Sequence, residues 1–328
     1  MSQLVTIYGG SGFVGRYIAR RMAKAGWRVR VAVRRPNEAI FVRPYGVVGQ
    51  VEPVLCNIRD DNSVRLALQG ADAVVNCVGT FDKGGKNNFD AVQVEGATRV
   101  ARLAAEEGVA RMVQISAIGA DAEADSLYAS SKGKGEAGVL AHMPDATILR
   151  PSIIFGAEDA FFNRFATMAR FGPVLPIAGG ATKFQPVHVD DVAQAAEQGI
   201  TGAAAGGIYE LGGPDVETFR ALMQRMLEVI HRRRLIINMP NFVARIMAFG
   251  FDTMQTLTLG LAKNTMLTQD QLTSLAQDNV VAEDAKGFAD LGITPTSMEA
   301  ILPDYLWRFR PSGQFDAIKD SAKNLRQS

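Results

Sequence analysis

A candidate anion-binding turn stands near the N-terminus, in the run Gly9-Gly10-Ser11-Gly12-Phe13-Val14-Gly15. It follows the apolar run Leu4–Tyr8 and leads into a helical pattern. It fits G-x-x-G-x-x-G through Gly9, Gly12 and Gly15, and G-x-G-x-x-G through Gly10, Gly12 and Gly15. Glycines there permit a tight turn. They also bring the backbone N–H groups around Ser11, Phe13 and Val14 close enough to donate to a pyrophosphate at the positive end of a helix. The pattern alone is weak, but between a strand and a helix it favours a phosphate cradle over a glycine-rich turn with no ligand. About 20 residues after such a turn, NAD-binding folds place an acid on the ribose 2′-hydroxyl. Here the second strand ends in Val33-Arg34-Arg35, with no acid at the tip. Two guanidinium groups can hold the extra phosphate of NADP bidentately, so NADPH is the expected cofactor. A solvated basic strand end is the blander alternative.

These groups need elements to place them. Leu4–Tyr8, Arg28–Val33, Glu52–Cys56, Ala73–Val78 and Arg111–Ile115 read as short strands, with Thr147–Leu149 and Ile208–Leu211 as later ones. Arg16–Lys24, which carries Ile18 and Met22 at helical spacing, Ser63–Gln69 and Ala91–Glu107 read as helices between them. Strands alternating with helices, each crossover returning the same way, predict an α/β fold: a doubly wound parallel sheet of the Rossmann kind. After about Gly213 the composition shifts. Phe219–Ile230 predicts one helix, His231-Arg232-Arg233-Arg234 is a basic knot, and Phe242–Leu261 is a Met- and Phe-rich amphipathic stretch. The expected division is a nucleotide-binding domain over residues 1–213 and a smaller, mostly helical portion over 214–328, with some later strands shared.

Composition narrows the function classes. Hydrophobic residues make up 47% and charged residues 21%, a globular balance that excludes a disordered or fibrous chain. Thirty-five basic against 34 acidic residues leave +1, so bulk charge gives no reason to bind nucleic acid. Cys56 and Cys77 are the two cysteines, too few for a disulfide framework or a structural zinc cluster. No metal site is expected, and a reducing compartment fits. No run of about 18 apolar residues appears, so no membrane-spanning helix is expected. No secretory signal pattern opens the chain, and the polar tail from about Phe315 to Ser328 is expected to fray or lie on a partner.

The N-terminal turn, Asn76-Cys77-Val78-Gly79, Tyr128-Ala129-Ser130-Ser131-Lys132, Leu149-Arg150-Pro151-Ser152-Ile153-Ile154-Phe155-Gly156 and Val187-His188-Val189-Asp190-Asp191-Val192-Ala193 together resemble the short-chain dehydrogenase/reductase superfamily in its extended and atypical branches. In the second half, Leu267-Thr268-Gln269-Asp270-Gln271-Leu272, Asp278-Asn279-Val280-Val281 and Tyr305-Leu306-Trp307-Arg308-Phe309-Arg310-Pro311 resemble one branch. These motifs look like bacterial counterparts of the NADPH-binding, dehydrogenase-like 9-alpha accessory subunits of respiratory complex I (NADH:ubiquinone oxidoreductase). The resemblance covers nearly the whole chain. It implies Val78, Gly79, Ser116, Tyr128, Lys132 and Pro151 as cofactor contacts, and Asn57 and Ile58 after the third strand beside the adenine. An aspartate is commoner in the Asn57 slot. It also implies other complex I subunits as partners, and a peripheral place on the cytoplasmic side of the bacterial inner membrane near the quinone region.

In active members of that superfamily the tyrosine of Y-x-x-x-K is general acid/base, the lysine lowers its pKa, and a serine or threonine orients the substrate oxygen. Tyr128 and Lys132 match the first two. The hydroxyl slot falls on Ala117 or Ile118, just after Ser116, and neither can donate. Loss of one preorganised donor costs roughly a hundredfold to a thousandfold in rate. Tyr128 and Lys132 are therefore weighed as cofactor-holding groups ahead of catalytic ones. The leading expectation is a non-catalytic, NADPH-holding accessory subunit. The alternatives are an NADP-dependent reductase or epimerase for a small or isoprenoid substrate, and a cofactor-sensing regulator.

Three further groups have plainer readings. Asp190 is expected to cap a helix starting at Val192, with His188 a wall residue rather than half of a dyad. Cys56 and Cys77 read as inert core thiols. Phe242, Ile246, Phe249, Leu257 and Leu261, with Met247 and Met254 beside them, form either core or a partner- or membrane-facing surface. Arg232–Arg234 would suit anionic head groups or an acidic subunit patch, although such a run is more often simply solvated.

Overall fold

The computed structural model describes residues 2–240, 242, 243, 246, 269–311 and 313–315. The first stretch of chain contributes β1 (Leu4–Tyr8), α1 (Phe13–Lys24), β2 (Arg28–Val33), β3 (Val51–Leu55), α2 (Asp61–Leu68), β4 (Ala73–Asn76), α3 (Glu95–Glu106), β5 (Arg111–Ile115), α4 (Leu127–His142) and β6 (Thr147–Pro151). Next come β7 (Ile154–Phe155), α5 (Phe162–Phe171), β8 (Val174–Ile177), β9 (Lys183–Phe184) and β10 (Val187–His188), then α6 (Val189–Thr201) and β11 (Gly207–Leu211). The described remainder holds β12 (Glu217–Thr218), α7 (Phe219–Val229), β13 (Leu235–Asn238), α8 (Gln269–Ser274) and α9 (Met298–Leu306).

Seven strands form one parallel sheet in the order β11-β6-β5-β4-β1-β2-β3. Residues of the central strands are buried on both faces, as in β1, where all five are. Helices on both faces of a parallel sheet demand that. Chain order reverses between β1 and β4, and beyond the carboxyl ends of the strands at such a switch point open parallel sheets form their ligand crevice. The doubly wound expectation holds. Its boundaries move slightly: α1 opens at Phe13, β4 stops at Asn76, and the long helix begins with a π-helical turn, Asp90–Val94, before α3.

The chain divides into two compact units, but not at a single cut near 213. The first takes residues 1–152, 189–212 and 281–295; the second takes 153–188, 213–280 and 296–328. Hydrogen bonds explain why 281–295 joins the sheet unit. Gln198 Nε2 donates to Leu291 O at 2.8 Å, the Glu210 amide to Lys286 O at 2.8 Å, and the Ala282 amide to Glu210 Oε2 at 3.0 Å. The second unit is helical through α5, α7 and α9, but it also holds the two-stranded ladders β7/β10, β9/β12 and β8/β13. It buries its own core, with Phe162, Leu175, Leu222, Met226 and Leu302 inaccessible. Among the described residues no helix is long and apolar enough to cross a membrane. The expected stretch Phe242–Leu261, like most of the tail, lies outside the described residues apart from Phe242, Val243 and Ile246.

A buried carboxylate braces the second unit. Asp159 accepts the Tyr305 hydroxyl at 2.5 Å and the amides of Gly156 at 3.2 Å and Asn163 at 3.0 Å. Burial nonetheless pushes its carboxyl above the usual range. Replacing Tyr305 with Phe withdraws the hydroxyl donor and leaves only backbone amides on the carboxylate. The expected cost is about 1–3 kcal/mol, read as a lower urea midpoint at unchanged slope.

Candidate functional site

The glycine turn is shaped by contacts that tolerate no Cβ. Gly9 adopts φ +73° at the tip of β1, and a Cβ on Gly15 would stand 2.5 Å from Gly9 O and 2.7 Å from Gly10 Cα. The Gly9 amide donates to Ala32 O at 2.9 Å and the Gly12 amide to Gly9 O at 2.9 Å, which closes the turn. No side chain caps α1. The first amides of the helix, at Phe13, Val14 and Gly15, are therefore left for an anion. Arg16 braces the turn from outside: Nη2 donates to Ser11 O at 3.0 Å, and the guanidinium lies 4.8 Å from the Phe41 ring centre. These donors, against a backbone stripped of Cβ atoms, fit a dinucleotide pyrophosphate.

Along the crevice rim the expected contacts divide. Arg34 and Arg35 are both exposed beyond β2, but Arg35 Nη1 pairs with Glu38 Oε1 at 3.0 Å. The strand tip itself has no acid, yet the short helix Pro36–Tyr45 brings one back to it. Arg34 has no ion pair among the described residues, so it is the guanidinium better placed for a phosphate. Asn57 turns its Oδ1 to the Arg59 amide at 3.2 Å. Ile58 is buried, and a Cβ on Gly96 of α3 would lie 3.3 Å from its Cγ1, so its side chain belongs to the core. Val78 and Gly79 follow β4, with Gly79 facing the Lys132 ammonium: a Cβ there would lie 3.9 Å from Nζ.

α4 carries Tyr128 and Lys132 onto that rim. Lys132 is buried, and its Nζ donates to Ile115 O at 3.2 Å and lies 5.9 Å from the Tyr128 ring centre. Burial drags its pKa down to about 8, against the opposing pull of Glu136 and Cys77. Phe81 stacks on the Tyr128 ring at 5.2 Å between centres, and Phe89 meets it at 6.1 Å. Burial pushes the Tyr128 phenol up to about 12, the wrong direction for a general acid/base at neutral pH. Ser116 is the decisive group. Its hydroxyl donates to the buried Glu136 carboxylate, which Arg150 Nη2 also grips at 2.6 Å. Pro151 is buried at the end of β6, where its carbonyl accepts the Ile118 amide at 3.1 Å.

The remaining expectations resolve as follows. α6 opens at Val189, so Asp190 sits inside the first turn and does not cap a helix at Val192. Its carboxylate takes the Arg21 fork at 2.7 and 2.9 Å. His188 lies on β10 with its ring 5.5 Å from Phe155. Burial pushes the Cys56 thiol up to about 11 and that of Cys77 up to about 12, which keeps both unreactive. Among the described residues no cluster of His, Cys, Asp and Glu could hold a metal. Sequence reasoning missed Glu136, although it lies four residues beyond Lys132 and so on the same helical face.

Comparison with known proteins places the chain. It is 32% identical over 316 residues to the Arabidopsis thaliana mitochondrial protein named NADH dehydrogenase [ubiquinone] 1 alpha subcomplex subunit 9, covering 94% of this chain and 79% of that one. It is 29% identical to the Neurospora crassa mitochondrial NADH-ubiquinone oxidoreductase 40 kDa subunit, over 98% and 84% of the two chains. The profile of the NAD dependent epimerase/dehydratase family matches residues 5–212. The chain belongs to this family, in the branch of the alpha subcomplex subunit 9 proteins. Its fold also matches the crystal structure of the Bordetella bronchiseptica enzyme WbmH in complex with NAD+, with TM-score 0.68 at 17% identity over 95% and 100% of the chains.

Two outcomes follow from this geometry. Gly15→Ala drives a methyl into backbone that cannot yield, and should cost about 1–3 kcal/mol in chemical denaturation. Lys132 titrates lower folded than unfolded, so the unfolded chain binds more protons between pH 8 and about 10.5 and stability rises across that window. The raised Cys77 thiol works in the opposite sense in wild type and variant alike. The stability of wild type minus that of Lys132→Met should therefore rise by roughly 3 kcal/mol over the window.

Proposed function

We propose that this chain is an NADPH-holding, non-catalytic accessory subunit of a respiratory NADH:ubiquinone oxidoreductase. Its partners would be other subunits of that complex, on the cytoplasmic flank of the bacterial inner membrane near the quinone region. Arg232–Arg234 would make an anionic lipid contact. Kinship with the subunit 9 proteins supports the assembly. One observation supports the loss of catalysis: the glycine cradle is intact, while the Ser116 hydroxyl is committed to Glu136 and Ala117 and Ile118 offer no substitute. A site of this kind keeps its grip on a dinucleotide and lacks the clamp that would orient a substrate carbonyl.

When bound, NADPH supplies a hydride donor. In this reading it serves instead as a brace. The amides at the head of α1 hold its pyrophosphate, Arg34 meets its 2′-phosphate, and Tyr128 and Lys132 hold the nicotinamide ribose. A ligand at a hundred times its dissociation constant adds about 2.7 kcal/mol to the fold that binds it. That is a large share of a typical domain's stability of about 5–15 kcal/mol.

Native mass spectrometry of the detergent-extracted respiratory complex tests this directly. The expected spectrum carries this chain with one NADPH; recovery of the chain only as a free monomer, from membranes whose complex lacks it, overturns the assignment. Arg34→Ala should weaken NADPH binding by roughly ten- to a hundredfold and leave NADH binding unchanged. Turnover of bound NADPH on a carbonyl or quinone substrate, abolished by Tyr128→Phe, would favour the reductase reading.

A further inference from the structure

The second unit gathers several arginines that have no carboxylate partner among the described residues. Arg220, Arg232, Arg233 and Arg234 line an open groove of about 630 Å³, with Glu228 the acid on its wall. Each fixed guanidinium there is anchored to main chain. Arg232 Nε donates to Phe309 O at 2.8 Å, Arg234 Nε to Ala169 O at 2.7 Å, and Arg220 Nη1 to Ile236 O at 3.3 Å. Arg170 closes the end of α5 beside them. Among the described residues none of Arg170, Arg220, Arg232, Arg233 and Arg234 has a carboxylate in an ion pair, unlike Arg21, Arg65, Arg99, Arg102, Arg150 and Arg225. Burial lowers the Arg232 pKa first, and the neighbouring charges of Arg234 and Arg170 lower it further. The fold thus holds like charges together, at a cost.

An apolar face adjoins them. β13 pairs in parallel with β8, Leu235 opposite Val174 and Ile237 opposite Pro176. Alternation turns Ile236 and Leu175 into the core and leaves Leu235 and Ile237 outside, 63% and 43% exposed. Phe171, at the end of α5 one residue past Arg170, is 84% exposed. A free phosphate would use the guanidinium groups and ignore Leu235, Ile237 and Phe171. An acidic protein patch would likewise match only the charge. A surface of anionic head groups over acyl chains matches both, arginines at phosphate level and apolar side chains just below.

We infer that this face, formed by Arg170, Arg232, Arg233 and Arg234 with Phe171, Leu235 and Ile237, is where the chain lies on an anionic lipid bilayer. It gives a definite surface to the membrane-flank placement proposed above and rests on that reading only for its cellular setting. Two interactions of different kinds share the work, so lipid charge and apolar insertion should each be necessary.

The test is sedimentation of the full-length chain with vesicles of phosphatidylcholine alone, or with roughly one-third phosphatidylserine. Binding to the anionic vesicles should exceed binding to neutral ones at least tenfold and fall as salt is raised. Among the described residues the Arg170 and Arg233 side chains make no hydrogen bond that anchors the fold, so Arg170→Glu with Arg233→Glu should cut binding more than tenfold with the thermal midpoint unchanged. Phe171→Ser with Leu235→Ser should weaken it roughly tenfold at unchanged charge. Equal binding to neutral vesicles, indifference to the charge reversals, or capture by polyglutamate with none by vesicles would overturn the inference. Co-purification with the respiratory complex is scored separately. If the charge-reversed chain loses the vesicles but still enters the complex, the lipid surface and the subunit reading both stand; if it keeps the vesicles, the lipid surface fails whether or not it enters the complex.

Discussion

Backbone touching backbone at the head of α1 is the constraint on which the sheet unit depends. A Cβ on Gly15 would stand 2.5 Å from Gly9 O, so the head of α1 is held against the tip of β1. The first, uncapped amides of that helix therefore lie at the strand end where the sheet order reverses. The other side of α1 is fixed by Arg21, which bridges Asp190 and Glu197 on α6. α4 approaches its neighbours in the same way: a Cβ on Gly135 would collide with Gln93 O, and one on Gly138 with Thr98 of α3. Both rims of the crevice thus rest on glycines at close approaches, which fixes where Tyr128 and Lys132 emerge.

Behind that rim runs a line of alternating charge, buried at Lys132 and Glu136 and half-buried at Arg150 and Glu210. Lys132 lies near Glu136; Glu136 grips Arg150 at 2.6 Å; Arg150 reaches Glu210 at 3.6 Å; and Glu210 accepts the Ala282 amide. Buried ion pairs contribute little net stability over apolar replacements, but removing a single partner costs about 3–5 kcal/mol. The line is therefore better understood as orientation than as glue. It ties β6, α4 and β11 to the segment 281–295. It also takes Ser116, the nearest hydroxyl, out of play. On the function proposed above, a nucleotide-binding fold whose serine is already satisfied by an internal carboxylate would have exchanged substrate handling for rigidity.

How much of this was legible in the sequence depended on how local each cause was. The strands of the sheet were visible because their apolar runs must be buried on both faces, and β1, β2 and β5 match residue for residue. β4 stops two residues early because Asn76 turns its side chain to Gln114 and to the Val78 amide. Of the unit boundaries only the one at 212 was legible, as the shift in composition after Gly213. The crossings at 152, 188, 280 and 295 carry no such shift, and hydrogen bonds between residues more than seventy positions apart tie 281–295 to the sheet unit. At the site, the glycine turn announces itself by type and spacing. Glu136 does not, because it sits one turn past the recognised Tyr128–Lys132 pair, and its importance comes from Arg150 on another element. Arg21 changed the expected role of Asp190 for the same reason, its partner lying 169 positions away; Glu38 stands only three residues past Arg35, so that pair was legible in the local sequence.

The second unit shows why its exposed apolar residues are not simply core residues left out. Its interior is already full of aromatic contacts, with Phe161 5.0 Å from Phe162 and 5.7 Å from Phe219, and Phe184 5.8 Å from Phe219. The β8/β13 ladder contributes Leu175, Ile177 and Ile236 to that core. A strand alternates, so a two-stranded ladder with one face in a complete core must present the other outward. Polar residues usually fill such a face. Here Leu235, Ile237 and Val174 occupy it beside arginines that lack acidic partners among the described residues. Folding alone explains neither departure. The arginines' main-chain bonds would serve equally well with carboxylates nearby, and the ladder would pair equally well with serine or threonine outside. Two departures from the ordinary surface rule, adjacent in space and opposite in chemistry, are what an amphipathic partner would require of the same patch.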